Sequence, residues 1–154
     1  METTTATDRI EKTVILKAPR SRVWRAITDA KQFGEWFRVQ LDGEFAVGAT
    51  IRGNITYPGY EHIQMEVIVE RMEPERLFSY RWHPHAVDPN ADYSPEPMTL
   101  VEFTLEEAQG GTRLTIIESG FDRIPLSRRA VAFRMNNDGW SEQLRNIERY
   151  VSRT

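Results

Sequence analysis

A carboxylate and an amide stand where this sequence otherwise places apolar side chains. Glu118 follows Leu114 and Ile116 at every second position, so a strand there puts all three on one face. Asn137 falls within Leu126, Ala130, Phe133, Trp140, Leu144, Ile147 and Val151, whose alternating steps of four and three mark one stripe of a helix over Leu126 to Val151. Moving such groups out of water is costly unless they are partnered. A buried carboxyl with a raised pKa can serve as an acid, a base or an anchor for a polar ligand group, which makes Glu118 the candidate catalytic residue if the protein is an enzyme. The same spacing also fits a carboxylate at the strand's rim or one paired with Arg134. The Asn137 amide can contact a ligand, be satisfied by a neighbour or water, or be exposed by a helix break over 136–139.

Other chemistries find little footing. With no cysteine there is no thiolate nucleophile and no disulfide framework, and three histidines make a poor metal cluster. His83 and His85 flank Pro84, no third histidine or cysteine nearby completes a site, and Asp88 or Asp92 in the same loop would be an improvised partner, so the pair reads as solvated rather than metal-binding. Ser79, Ser119 and Ser141 sit in no nucleophile elbow, no glycine-rich phosphate loop is present, and no cofactor is called for. A net charge of -3 gives no drive toward nucleic acid or anionic membranes, and Arg123, Arg128 and Arg129 read as a solvated face. No stretch reaches the roughly 20 apolar residues of a membrane span, and the N-terminus lacks a signal peptide's apolar run, so a cytoplasmic protein is expected.

The elements that must position Glu118 and Asn137 follow from periodicity. A polar tail over 1–7 precedes a single domain over 8–154. Ile10, Val14 and Leu16 alternate as a strand, Pro19 opens a helix carrying Val23, Trp24 and Ile27, and Asp29 caps a second short helix with Phe33, Trp36 and Phe37. Strand alternation follows through Val39 and Leu41, through Ile51, Gly53, Ile55 and Tyr57, through Ile63 to Val69, and through Phe78, Tyr80 and Trp82. The stretch from His83 to Pro97 holds four prolines and reads as a long irregular loop of the kind that caps a site or is an idle insertion. Val101, Phe103 and Leu105, then Leu114, Ile116 and Glu118, form a hairpin around Gly110 and Gly111, and the long helix closes the chain. The layout is α+β, a curved antiparallel sheet gripping its last helix. By parity Tyr57, Met65, Tyr80, Trp82 and Phe103 line a cavity facing Phe133, Asn137 and Trp140, or simply fill the core.

Four segments carry a resemblance: Ala18-Pro19-Arg20-Ser21-Arg22-Val23-Trp24, Gly110-Gly111-Thr112-Arg113-Leu114-Thr115, Glu118-Ser119-Gly120-Phe121 and Gly139-Trp140. They resemble the START-like (SRPBCC) superfamily over nearly the whole chain, and more narrowly the branch named after the C-terminal domain of activators of the heat-shock chaperone ATPase. The resemblance implies a helix-grip fold with a cavity between the concave sheet and the long helix. It names no ligand, since the superfamily includes lipid carriers, aromatases and cyclases, hormone-binding proteins and co-chaperones. Known activators carry an additional N-terminal domain, for which this chain has no room. The leading expectation is binding of a hydrophobic or amphipathic small molecule, by a monomer or a homodimer. The alternatives are an aromatase or cyclase using Glu118, and a module that binds a chaperone or another protein.

Overall fold

The computed structural model describes residues 8–88 and 90–152. The tail expected over 1–7 lies outside them. The elements run β1 (Arg9–Leu16), α1 (Arg20–Thr28), α2 (Ala30–Phe37), β2 (Val39–Leu41), β3 (Thr50–Ile55), β4 (Gln64–Glu73), β5 (Leu77–Trp82), β6 (Thr99–Ala108), β7 (Gly111–Ser119), a 3-10 turn at Phe121–Arg123 and α3 (Leu126–Val151). The seven strands form one antiparallel sheet in the order β1-β7-β6-β5-β4-β3-β2. From β2 to β7 each strand pairs with the next in sequence, through tight turns at β4–β5 and β6–β7 and across the long loop over 83–98 at β5–β6, while β1 pairs with β7, so β1 and β2 occupy opposite edges. The chain between them, α1 and α2, therefore bridges the sheet, and α3 packs on β1, α1 and α2. This is the expected α+β helix-grip arrangement. Among the described residues, no helix is long and apolar enough to cross a membrane.

Local chemistry sets the early helices. Pro19 sits at the N-cap of α1, where its missing N–H costs nothing. The Asp29 carboxylate accepts from the backbone N–H groups of Lys31 and Gln32 and so starts α2 in a new direction. Gly34 permits the close return of the chain: a Cβ there would stand 2.2 Å from the Val39 carbonyl oxygen. The buried Trp36 indole donates to the Ala26 carbonyl at 2.8 Å, tying α2 to α1.

Aromatic side chains fill the space between the sheet and its helices. Phe33 meets Phe45 edge-on at 5.5 Å, Phe45 meets Phe78 at 5.0 Å, and Phe103 lies 5.9 Å from both Phe78 and Tyr80. Met65, Tyr80 and Phe103, expected to line a cavity or fill the core, are buried core side chains. Tyr57 is a correction. Strand β3 ends at Ile55, so the alternation that placed Tyr57 inward stops before reaching it. Its ring is 45% exposed, packs on Tyr60 at 5.7 Å and lies under the Arg38 guanidinium.

The proline-rich loop is strapped to the first turns of α3 by Arg128, which is not a solvated side chain. Its guanidinium donates to Glu96 at 2.9 Å and to the Pro84 and His85 carbonyls at 2.8 and 3.3 Å, and covers the Tyr93 ring at 4.7 Å. The ion pair with Glu96 is mostly shielded, with side chains 19% and 22% exposed. Arg128→Ala is expected to cost about 1.5–3 kcal/mol, the range for hydrogen bonds made by a charged group. Limited proteolysis should show faster cleavage within 83–98 and nowhere else. An unchanged digestion pattern would mean that the loop is held by other contacts.

Candidate functional site

Strand register brings four donors onto one carboxylate. Trp82 at the end of β5 pairs with Thr99 at the start of β6, and Val101, two residues on, pairs with Glu118 of β7. Thr99 and Glu118 thus share the concave face, on which Trp82 also stands. From above, α3 adds Asn136 and Trp140, which are four residues apart and so stacked on one side of the helix. The Trp82 indole N–H donates to Glu118 Oε2 at 2.8 Å and the Thr99 hydroxyl to the same oxygen at 2.6 Å. The Trp140 indole N–H donates to Oε1 at 2.8 Å, and Asn136 Nδ2 lies 3.0 and 3.1 Å from the two oxygens.

Glu118 is fully buried, and all its partners are neutral: among the described residues no cation pairs with it, and Arg134 is not one of its contacts. Indole N–H and amide NH2 groups can only donate, so this constellation suits an ionised carboxylate with its acceptor capacity saturated. Burial nevertheless raises its pKa above the ordinary 4.5, and the hydrogen bonds from Thr99, Trp82, Trp140 and Asn136 offset this only in part. The folded protein therefore holds the Glu118 proton more tightly than the unfolded chain does. The stability this contributes is full below the ordinary value and is lost as the pH rises through the folded value. Urea unfolding of the wild type and Glu118→Gln should show their stability difference moving against the wild type from pH 4.5 upward and then levelling off. A difference independent of pH would show that the folded and unfolded pKa values coincide.

The two tryptophans held by Glu118 stack on each other, with centroids 5.8 Å apart and planes at 28°. Phe37, the last residue of α2, closes on both at 6.3 and 6.1 Å. These three rings floor an open groove of about 120 Å³ at the edge of the sheet–helix interface. Asn136, Met135, Gly139 and Gln143 of α3 form its other side. Behind it, Tyr80 is fully buried, and burial first and the Glu118 charge second raise its phenol well above its ordinary value.

Of the residues expected at a site, the structure brings Trp82, Glu118 and Trp140 together, with Tyr80 and Phe103 packed behind them. Asn137 is replaced by its neighbour Asn136. The Asn137 side chain is half-buried away from Glu118, while its carbonyl accepts from the Ser141 hydroxyl. The line of α3 turned to the sheet runs through buried Ala132, half-buried Asn136 and buried Trp140, Leu144, Ile147 and Val151, with three successive steps of four. Each such step overshoots a full turn by about 40°, so the line winds around the helix as it follows the curved sheet. The straight stripe fails over the first half, where Leu126 is 80% exposed and Ala130 is exposed too. Phe133 is half-buried and packs edge-on against Phe121 at 5.1 Å rather than in the groove. Thr99 was missed although its parity with Val101 and Phe103 announces an inward hydroxyl.

The match to known proteins is clear for family and fold. Residues 17–152 match the model of the family described as Activator of Hsp90 ATPase homolog 1-like protein. Among solved structures, the chain is similar to protein MLL2253 from Mesorhizobium loti, with 25% identity and a TM-score of 0.74 over 95% of this chain and 98% of that one. It is also similar to DynU16, a protein of the dynemicin biosynthetic locus, with 26% identity and a TM-score of 0.72. That match covers 94% of this chain but 47% of DynU16, so the chain spans about half of that protein. The Aha1 dimer from Colwellia psychrerythraea shares the fold at 18% identity, with a TM-score of 0.68 over 91% and 92% of the two chains. Among curated proteins none matches. With the family model covering most of its length, the chain belongs to the Activator of Hsp90 ATPase homolog 1-like family.

Proposed function

We propose that the protein binds a small amphipathic molecule in the groove over Trp82, Trp140 and Phe37, as a soluble cytoplasmic domain. The observation that carries this reading is Gly139. It lies within the 26-residue helix α3 and lines the groove, and a Cβ added to it would meet nothing within 4 Å. Glycine inside a helix costs about 1 kcal/mol relative to alanine, and no contact within the chain asks for one here. What its missing side chain supplies is open space beside the aromatic floor. The polar contact within reach is Asn136, positioned by Glu118, in place of the Asn137 and Tyr57 expected from the sequence.

Gly139→Ala is expected to raise stability by about 1 kcal/mol, and Gly139→Leu to fill the groove while leaving the fold intact. Native mass spectrometry of wild-type protein purified from its own host should show a retained small molecule that is lost in Gly139→Leu. If Gly139→Leu keeps the retained mass, the groove is not the site. A role for Glu118 in acid–base chemistry draws no support from a carboxylate whose oxygens are already saturated with donors.

The second reading is a protein-interaction module, favoured by the family's description and by the exposed apolar side chains of α3, Leu126, Val131 and Met135, which are 80%, 41% and 44% exposed. Stimulation of an Hsp90-type ATPase that survives Gly139→Leu and disappears in Val131→Asp would select it. Absence of any stimulation would remove it.

A further inference from the structure

The groove is lined by aromatic side chains, and the carboxylate buried beneath it is the charge its lining residues contact. Phe37, Trp82 and Trp140 contact one another pairwise at 5.8 to 6.3 Å, and both indole N–H groups are committed to Glu118; Trp140 is buried beneath its stacked partner, so the half-buried Phe37 and Trp82 rings present the aromatic surface open to a guest. An aromatic face carries negative potential. Trp82, Asn136 and Trp140 all line the groove and all donate to the Glu118 carboxylate beneath it. That charge has no counter-cation among the described residues, and the groove lining contains no Lys, Arg or His.

The amides sharpen the pattern. Asn136 turns its Nδ2 to both carboxylate oxygens, so the end it leaves toward the groove is the acceptor Oδ1. Gln143 is held at both ends, donating to the Phe37 carbonyl and accepting from Asn146. A neutral apolar guest gains burial alone here. A cation gains in addition from the ring faces and from an uncompensated carboxylate screened from water, and an anion meets only repulsion.

We propose that the groove is a site for an organic cation, an alkylated ammonium head group seated on Phe37, Trp82 and Trp140 with Glu118 as its buried counter-charge. This rests on the groove-binding reading above and specifies its ligand class. Alkylation follows from the lining: a bare ammonium ion needs several acceptors to replace its water, and the side chains of the groove offer the Asn136 oxygen and a Gln143 oxygen already bonded to Asn146, whereas methylated nitrogen needs none.

The test is a titration of the wild-type protein, followed by tryptophan fluorescence and calorimetry, with choline and with the neutral alcohol in which carbon replaces the choline nitrogen. The two probes have the same shape and differ in charge. Choline is expected to bind at least about tenfold more tightly than its isostere, and ammonium chloride not to compete beyond the effect of sodium chloride. Glu118→Gln should lower the ratio severalfold, leaving the share that the ring faces supply. Phe37→Leu, which spares the Glu118 contacts, should weaken choline more than the alcohol. Equal affinity for the two probes overturns the cation assignment and leaves the groove reading standing. No binding of either overturns the assignment too, and a retained mass insensitive to Gly139→Leu then removes the groove reading as well.

Discussion

Glu118→Ala is expected to destabilise the protein by about 2–4 kcal/mol. Two terms oppose each other. Removing the carboxylate abolishes the cost of keeping a charge out of water, which by itself stabilises. It also strands the indole N–H groups of Trp82 and Trp140, the Thr99 hydroxyl and the Asn136 amide. A buried donor without an acceptor costs about 1–3 kcal/mol. Thr99 can rotate, and Asn136 at the groove edge can reach water, so the two indole groups carry most of the penalty. The small cavity left by the missing carboxyl adds to it. Glu118→Gln keeps one acceptor oxygen but turns an NH2 toward donors, and should fall between the wild type and Glu118→Ala. Urea unfolding measures this as a lower midpoint at unchanged slope, with tryptophan emission shifting as the indoles lose their partner. A loss below about 0.5 kcal/mol would mean that the hydrogen bonds to Glu118 only just repay its desolvation.

The position of Glu118 is legible in the sequence because strand parity is strict. With a period of two, Leu114 and Ile116 fix the face of residue 118, and the antiparallel register needs no further information. The ends of α3 are legible too, at Leu126 and Val151. Which amide of α3 meets Glu118 is not legible, because Asn136 and Asn137 differ by one position, about 100° of helix rotation. That choice depends on how the helix follows the curved sheet, a tertiary property that the four-and-three pattern averages away. Arg128 hides for a similar reason. Its partners are a carboxylate and two backbone carbonyls more than thirty residues earlier, and no local pattern distinguishes such an arginine from the solvated Arg123 beside it. Gly139 is visible as an oddity in a helix, but its meaning needs the empty space around its Cα. The filled interior is the remaining difference. Alternation marks Tyr80 and Phe103 as inward-facing, and only the packing of their rings decides between lining a void and occupying it.

Trp140→Ala is expected to cost about 3–5 kcal/mol, the range for truncating a buried aromatic ring. The ring touches Phe37, Trp82 and Phe103, and the residue is 3% exposed, so little of its contact area can be refilled by relaxation. Trp140→Phe separates the ring from its N–H. It keeps much of the stacking area and removes the donor to Glu118 Oε1, leaving that oxygen with Asn136 alone. A cost of about 1–2 kcal/mol is expected, set by a lost hydrogen bond to a charged group and a slightly smaller ring. A double-mutant cycle with Glu118→Gln then isolates the indole–carboxylate term. A coupling of about 1 kcal/mol or more is expected, because the two donors on Oε2 hold the remaining glutamine oxygen there and turn its NH2 toward Trp140, so each single change breaks the same bond and the second loses nothing further there. Additive losses would mean that Trp140 holds α3 to the sheet by packing alone. In that case Glu118 would not set the orientation of the groove floor, and its charge would act on a guest only through space.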